Sequence, residues 1–265
     1  MPLPKVASHG FMFVLSFLLP CGLVIDLAPA AAQSRELRIA AASDLQPVMP
    51  ILAAQYLKAT GVKLTVSYGS SSALTEQILH GAPIDVFLSA DYLHPERLVA
   101  EKLADTSAPI TYARGTLVLW ERKDGPVQPL TLDALADPRV NAVAIADDIH
   151  APYGRAAVVA LRGMRMEAIV APKLVKVENV IQAAQFVESG KAQLGFISLT
   201  LANSQHLRDV GTHVLVPTSI YPRVDQCAVV LAKSRKRTEA HAFLDWLLSS
   251  EVQQSLIKLG LNTVR

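Results

Sequence analysis

The chain has 265 residues, 51% of them hydrophobic and 18% charged. That composition supports a sizeable core and excludes an intrinsically disordered chain or a disulfide-stapled miniprotein. Its 25 Lys and Arg against 23 Asp and Glu give a formal net charge of +2, too small a bias to suggest nucleic acid as a partner.

Residues 1–32 read as a cleaved secretory signal. Lys5 supplies the basic start, residues 11–19 an apolar run, and Ala30, Ala31 and Ala32 a small-residue tail before Gln33. Pro20 and Asp26 interrupt the apolar stretch, which falls short of the roughly 20 residues that a spanning helix needs. Pro20 also stands where a lipid-attachment signal at Cys21 would require a small residue. Removal of the segment takes Cys21 with it and leaves Cys227 as the only cysteine, so the exported chain has no internal disulfide and depends on core burial. The mature protein is expected to be soluble and outside the cytoplasm, in the periplasm.

From Leu37 onward, short β-branched and aliphatic runs alternate with segments of helical period, which predicts an α/β architecture with mostly parallel sheets. The first strand is expected at 37–41 and a helix at 47–60, with Ile51, Leu52, Ala54, Tyr56 and Leu57 as its apolar stripe and Gly61 as its stop. A strand at 63–68, a helix at 73–80 and a strand at 84–89 follow, then a helical stretch from Asp91 to 103. Further strands are expected at 116–120, 142–146, 174–177 and 194–198, with helices at 154–161 and 180–188. A strand from Asp225 through Leu231 and helices at 238–249 and 251–259 complete the chain. No flexible linker is visible, so two lobes would be joined by paired crossings near 112–116 and 221–225.

Familiar catalytic signatures are missing: there is no Gly-x-Ser-x-Gly, His-Glu-x-x-His, phosphate loop or Cys-x-x-Cys. The seven His show no metal-ligand spacing. Asp85 is expected to make a strand-edge contact and Asp91 to cap a helix. What remains are small hydroxyl residues at strand-to-helix turns: Ser43 in the first unit, then Ser70, Ser71 and Ser72 in the second. In a parallel sheet such turns lie at the carboxyl ends of the strands, where helix N-terminal amides favour an anion. Each serine alone is more often a helix cap than a ligand. Two more turns of this kind are Asp147 to Gly154, offering amides of Tyr153 and Gly154, and Glu178-Asn179-Val180, where Asn179 is a natural cap.

At these turns the sequence resembles the periplasmic molybdate-binding proteins of bacterial ABC importers. The resemblance is carried by Ala40 to Leu45 (AAASDL), Tyr68 to Leu74 (YGSSSAL), Gln77-Ile78 followed by Gly81 to Asp91 (GAPIDVFLSAD), and Pro152-Tyr153-Gly154. It implies a two-lobed solute receptor, with residues 35–114 plus 225–265 in one lobe and 115–224 in the other, closing around a tetrahedral dianion held by neutral donors. The resemblance assigns the hydroxyls to Ser43 and Ser71 and the lobe-two amides to Tyr153 and Val180. Where many relatives place a tyrosine hydroxyl, this chain has Ser198, a candidate ligand residue with a shorter reach. The Tyr153 phenol is a candidate substitute from the opposite wall.

The expected function is capture of molybdate or tungstate and delivery to a membrane permease by a monomer, with the metal oxyanion as cargo and no cofactor or metal site. Rivals are a receptor for sulfate or another oxyanion, a ligand sensor without a transporter, and a secreted serine enzyme using His150 beside Asp147 and Asp148.

Overall fold

The computed structural model describes residues 35–264 and the isolated Pro2; otherwise the expected signal segment, with Cys21 and the Ala32/Gln33 junction, lies outside the described residues. The chain begins β1 (Glu36–Ala42), a 3-10 turn (Ser43–Leu45), α1 (Met49–Thr60), β2 (Lys63–Gly69), α2 (Ser71–Leu79), β3 (Val86–Ser89), α3 (Leu93–Ala100) and β4 (Ile110–Gly115). It continues with β5 (Leu117–Arg122), β6 (Val143–Ala146), α4 (Pro152–Gly163), α5 (Glu167–Val170), β7 (Leu174–Val177), α6 (Val180–Glu188) and β8 (Leu194–Ser198). Last come α7 (Leu199–Ala202), α8 (Gln205–Val210), β9 (Gly211–Leu215), β10 (Val224–Val230), α9 (Arg237–Leu247) and α10 (Ser250–Lys258). Among the described residues, no helix is long and apolar enough to cross a membrane.

These strands make two five-stranded sheets, ordered β2-β1-β3-β10-β4 and β7-β6-β8-β5-β9, each the centre of one lobe of a two-lobed α/β fold. Each sheet is mixed. In the first, β1 runs parallel to β2 and β3, whereas β10 is antiparallel to both β3 and β4. In the second, β6 is parallel to β7 and β8, and β5 is antiparallel to β8 and β9. The parallel halves carry the strand-to-helix turns, because a parallel neighbour has to be reached through a crossover helix. The register Ala42↔Gly69 sets the Ser43 turn beside the Ser70 turn, and Ala146↔Val177 does the same in the second lobe.

Apolar burial explains the strands. Leu37, Ile39, Val86, Leu88, Ala228 and Val230 are buried within the first sheet, and Leu117, Leu119, Val143, Ile145, Leu194 and Phe196 within the second. Helix α1 covers one face of the first sheet through Met49, Leu52 and Tyr56. The expected stripe was broader: Ile51 and Leu57 are 43% and 48% exposed. A single sheet contact accepts only residues at spacings of three and four, and the flanks stay in water. Tyr56 meets Phe243 edge-on at 5.1 Å between ring centroids and Trp246 at 4.9 Å, which ties α1 to α9. Asp85 makes its strand-edge contact, accepting from the Arg38 amide at 2.8 Å and the Ser234 hydroxyl at 2.8 Å.

Candidate anion site between the lobes

Each candidate turn owes its shape to local chemistry. In the second turn Ser70 caps α2, its Oγ accepting from the Ala73 amide at 3.2 Å. Ser71, at the first helical position and 1% exposed, uses its Oγ differently and accepts from the Ala90 amide at 3.1 Å. That bond anchors the oxygen and leaves the hydroxyl proton free to donate. Ser43 follows β1 directly in the 3-10 turn and is 5% exposed.

In the second lobe, Asn179 caps α6 by accepting from the Ile181 and Gln182 amides at 3.0 and 3.1 Å. Val180 is therefore the first residue of its helix, and Tyr153 is the second of α4 after Pro152. Amides at these positions have no acceptor inside their own helix. The turn before α4 is drawn tight by Asp147, whose Oδ1 accepts from the amides of Ile149 and His150 at 2.9 and 2.7 Å. Burial acts to raise the Asp147 carboxyl, but these amides and the His150 ring outweigh it and hold the group below its ordinary range. Gly154 passes so close to the preceding strand that a Cβ there would lie 2.3 Å from the carbonyl oxygens of Ala146 and Asp147.

The turns of the two lobes face one another. A cleft of about 410 Å³ is lined by Ser70, Ser72 and Ala73 from the first lobe and by Asp147, His150, Lys176, Val177 and Glu178 from the second. Helix α6 packs on the Ser43–Leu45 turn. The nearby basic groups already have partners: Lys176 reaches Asp148 at 2.6 Å, and Arg155 of α4 crosses to Asp91 of the first lobe. Asp91 also accepts from the His94 amide at 3.2 Å, but the cap position of α3 is Tyr92, one residue later than expected, so Asp91 serves the first turn from just outside it. His150 holds Asp147 at 2.8 Å through Nδ1, and among the described residues it is hydrogen-bonded to no serine hydroxyl.

Two expected ligand groups have other partners. The Tyr153 phenol donates to Asp44 Oδ2 at 3.1 Å. Ser198 is completely buried as the cap of α7, accepting from the Leu201 amide at 3.3 Å and lying 2.8 Å from Thr200 Oγ1. Thr200 spends its own proton on the Asp44 carbonyl at 2.6 Å, so the Ser198 hydroxyl donates to Thr200. Ser43, Ser71, Tyr153 and Val180 lie in or directly beside the turns that meet here, next to the residues lining the cleft, while Ser198 and the Tyr153 phenol are engaged in hydrogen bonds of the frame.

Sequence reasoning missed the centre of that frame. Asp44 is 1% exposed, and its Oδ2 receives the Tyr153 hydroxyl and Gln226 Nε2, the latter at 2.6 Å. Gln226 in turn accepts from the Tyr112 hydroxyl at 3.2 Å. Asp44 Oδ1 is buried with no partner. Desolvation raises the Asp44 carboxyl to about 6 against the lowering pull of Gln226 and Tyr153. Burial, followed by the nearby Asp44 charge, pushes the phenols of Tyr153 and Tyr112 well above their ordinary value, so both remain donors. The only hint in the sequence is an acid placed two residues after a fully apolar strand end, Ala40-Ala41-Ala42-Ser43-Asp44.

Comparison with known proteins bears on the family and the fold. A family model described as bacterial extracellular solute-binding protein matches residues 37–262. The chain is 37% identical to the molybdate-binding protein ModA of Azotobacter vinelandii over 88% of this chain and 92% of that protein. It is 34% identical to ModA of Rhodobacter capsulatus over 90% and 92% of the two chains. The structure of a periplasmic molybdate-binding protein of Azotobacter vinelandii superposes with a TM-score of 0.79 at 29% identity, covering 86% of this chain and 100% of that one. The sulfate-binding protein SubI of Mycobacterium tuberculosis H37Rv, at 17% identity and a TM-score of 0.71 over 86% and 87% of the chains, shares the fold. With two mixed sheets, facing helix N-termini and a match across nearly all the described residues, the chain belongs to the bacterial extracellular solute-binding protein family.

Proposed function

We propose that this protein captures molybdate or tungstate in the cleft between its lobes and delivers it to the permease of an ABC importer. The observation that supports this reading is a cleft where the Ser70 turn meets the turns before α4 and α6, with α6 packed on the Ser43 turn, in a chain 37% identical to a molybdate-binding protein. The hydroxyls of Ser43 and Ser71 and the amides of Tyr153 and Val180 hold the anion. A desolvated oxyanion needs a donor in each lone-pair direction, and neutral donors leave no buried cation unpaired when the site is empty. Donors aimed inward also reject an anion that must itself donate, such as a protonated phosphate.

In this reading residues 1–32 direct export to the periplasm and are removed. Residues 35–114 with 225–265 form one lobe and 115–224 the other, and the protein acts as a monomer. It needs no cofactor and catalyses no reaction, the metal oxyanion being cargo. Closure follows ligand binding because only the closed arrangement lets both lobes donate to one anion.

A thermal-shift series with molybdate, tungstate, sulfate, phosphate and chromate at equal concentration tests the proposal. Ligand at a hundredfold excess over its dissociation constant stabilises by about 2.7 kcal/mol, a rise of roughly 5 to 10 °C in a chain of this size. Molybdate and tungstate are expected to give that rise and the others little; a larger rise with sulfate would assign the site to that anion instead. Ser43→Ala and Ser71→Ala are each expected to weaken binding by about 1.5 to 3 kcal/mol, the range for a hydrogen bond to a charged group. Titration calorimetry reads this directly, and unchanged affinity would remove that serine from the site.

A further inference from the structure

We propose that Asp44 is the positioning residue through which the two lobes are clasped around the anion, and that anion binding is linked to proton uptake by its carboxyl. The inference rests on the oxyanion reading above. Three separate elements converge on this residue. Tyr153 reaches its Oδ2 from α4 of the second lobe, Gln226 reaches the same oxygen from β10, and Thr200 reaches its carbonyl from α7. Asp44 directly follows Ser43, and Tyr153 also carries the amide expected to face the anion. Holding the Tyr153 phenol therefore holds the first turn of α4 against the Ser43 turn, although no atom of the Asp44 carboxyl need touch the ligand.

The unequal treatment of the two carboxyl oxygens points to the proton. Oδ2 accepts twice, whereas Oδ1 is buried and accepts nothing. A carboxylate would leave that oxygen's charge unanswered, whereas a carboxylic acid can carry its proton there. No basic side chain pairs with Asp44 among the described residues. The titratable groups around it are phenols: Tyr153 on α4, Tyr112 on β4 through Gln226, and Tyr221 close to Tyr153. All three have raised pKa values, so none supplies charge of either sign in the neutral range. A dianion arriving beside Ser43 then brings a second negative charge against an uncompensated one. The carboxyl responds by taking one proton from solvent, and no other group changes its charge.

The test is calorimetric titration of the purified protein with molybdate between pH 6 and pH 9, in pairs of buffers that differ in ionisation enthalpy. Affinity is expected to fall by about fivefold from pH 6 to pH 8, as when a single carboxyl that ionises near 6 holds its proton about tenfold more tightly in the complex, with uptake peaking at about half a proton near pH 6.5. Asp44→Asn should flatten the profile and abolish the uptake. Tyr153→Phe removes a donor that favours the carboxylate, so it should move the midpoint of the profile to higher pH, a change that simple loosening of the fold would not produce. Wild-type binding without proton uptake, or an Asp44→Asn slope equal to the wild type's, would overturn the inference while leaving the anion reading intact. If Asp44→Asn does not fold, the wild-type uptake and the Tyr153→Phe midpoint decide. If none of the tetrahedral oxyanions binds, both readings fall together.

Discussion

Replacing Gly154 by alanine is expected to weaken anion binding by about a hundredfold or more, equivalent to roughly 3 kcal/mol. The new Cβ would lie 2.3 Å from the carbonyl oxygens of Ala146 and Asp147. Both obstacles are backbone at the end of a central strand, so neither can yield as a side chain would. The first turn of α4 must move instead, taking with it the Tyr153 amide and the phenol bound to Asp44. Core residues of α4 such as Ala157, Ala160 and Leu161 remain buried on the sheet, and most of the secondary structure should survive. Circular dichroism alongside the anion titration separates the two effects. Wild-type affinity in a folded Gly154→Ala protein would place the anion away from this turn.

The second large effect concerns stability without ligand. Asp44 ionises near 6 in the folded chain, against 3.8 for an ordinary aspartate, because burial penalises its charge. The folded state holds this proton more tightly than the unfolded state does. Its contribution is therefore fully present below about pH 4, is lost as pH rises to about 6, and stays lost above. Asparagine keeps an acceptor for Tyr153 and Gln226 and has no proton to lose. Between pH 4 and pH 8, the stability of Asp44→Asn measured against wild type should rise by about 3 kcal/mol, roughly 6 °C or more in Tm. Unfolding curves at pH 4, 6 and 8 check this. A difference that does not grow with pH would mean that Asp44 carries no such penalty. Retention of a buried acid that loses stability as it ionises is a stability–function compromise of the kind found at binding sites.

Much of the fold was legible because its signals are local. The parallel strands of both lobes announce themselves as short apolar runs, and Asn179, Gly61 and Pro152 mark helix ends by their own backbone chemistry. What escaped was edge structure and long-range pairing. Strand β9 is only partly buried along its length, so it lacks the apolar run that marks an inner strand, and α7 and α8 are too short to show a helical period. The two antiparallel halves depend on which strands meet across the chain. The turns bearing Ser43, Ser71, Tyr153 and Val180 were legible as turns, but the Asp44 clasp was not. Its partners lie 109 and 182 residues away in sequence, and no local pattern records that a carboxyl will be sealed among them.

Strand order also dictates a sequence of assembly. Lobe two's sheet is complete once residues 117–215 are present, whereas β10, the strand between β3 and β4, is supplied only from residue 224 onward. As the chain emerges from its N-terminus, the second lobe can close its sheet while β3 and β4 still expose unpaired edges. Such edges are templates for pairing with other chains. A chain stopped short of β10 would thus hold a finished domain beside an open half-sheet, so premature termination should produce aggregation, whereas damage confined to α10 should spare both sheets.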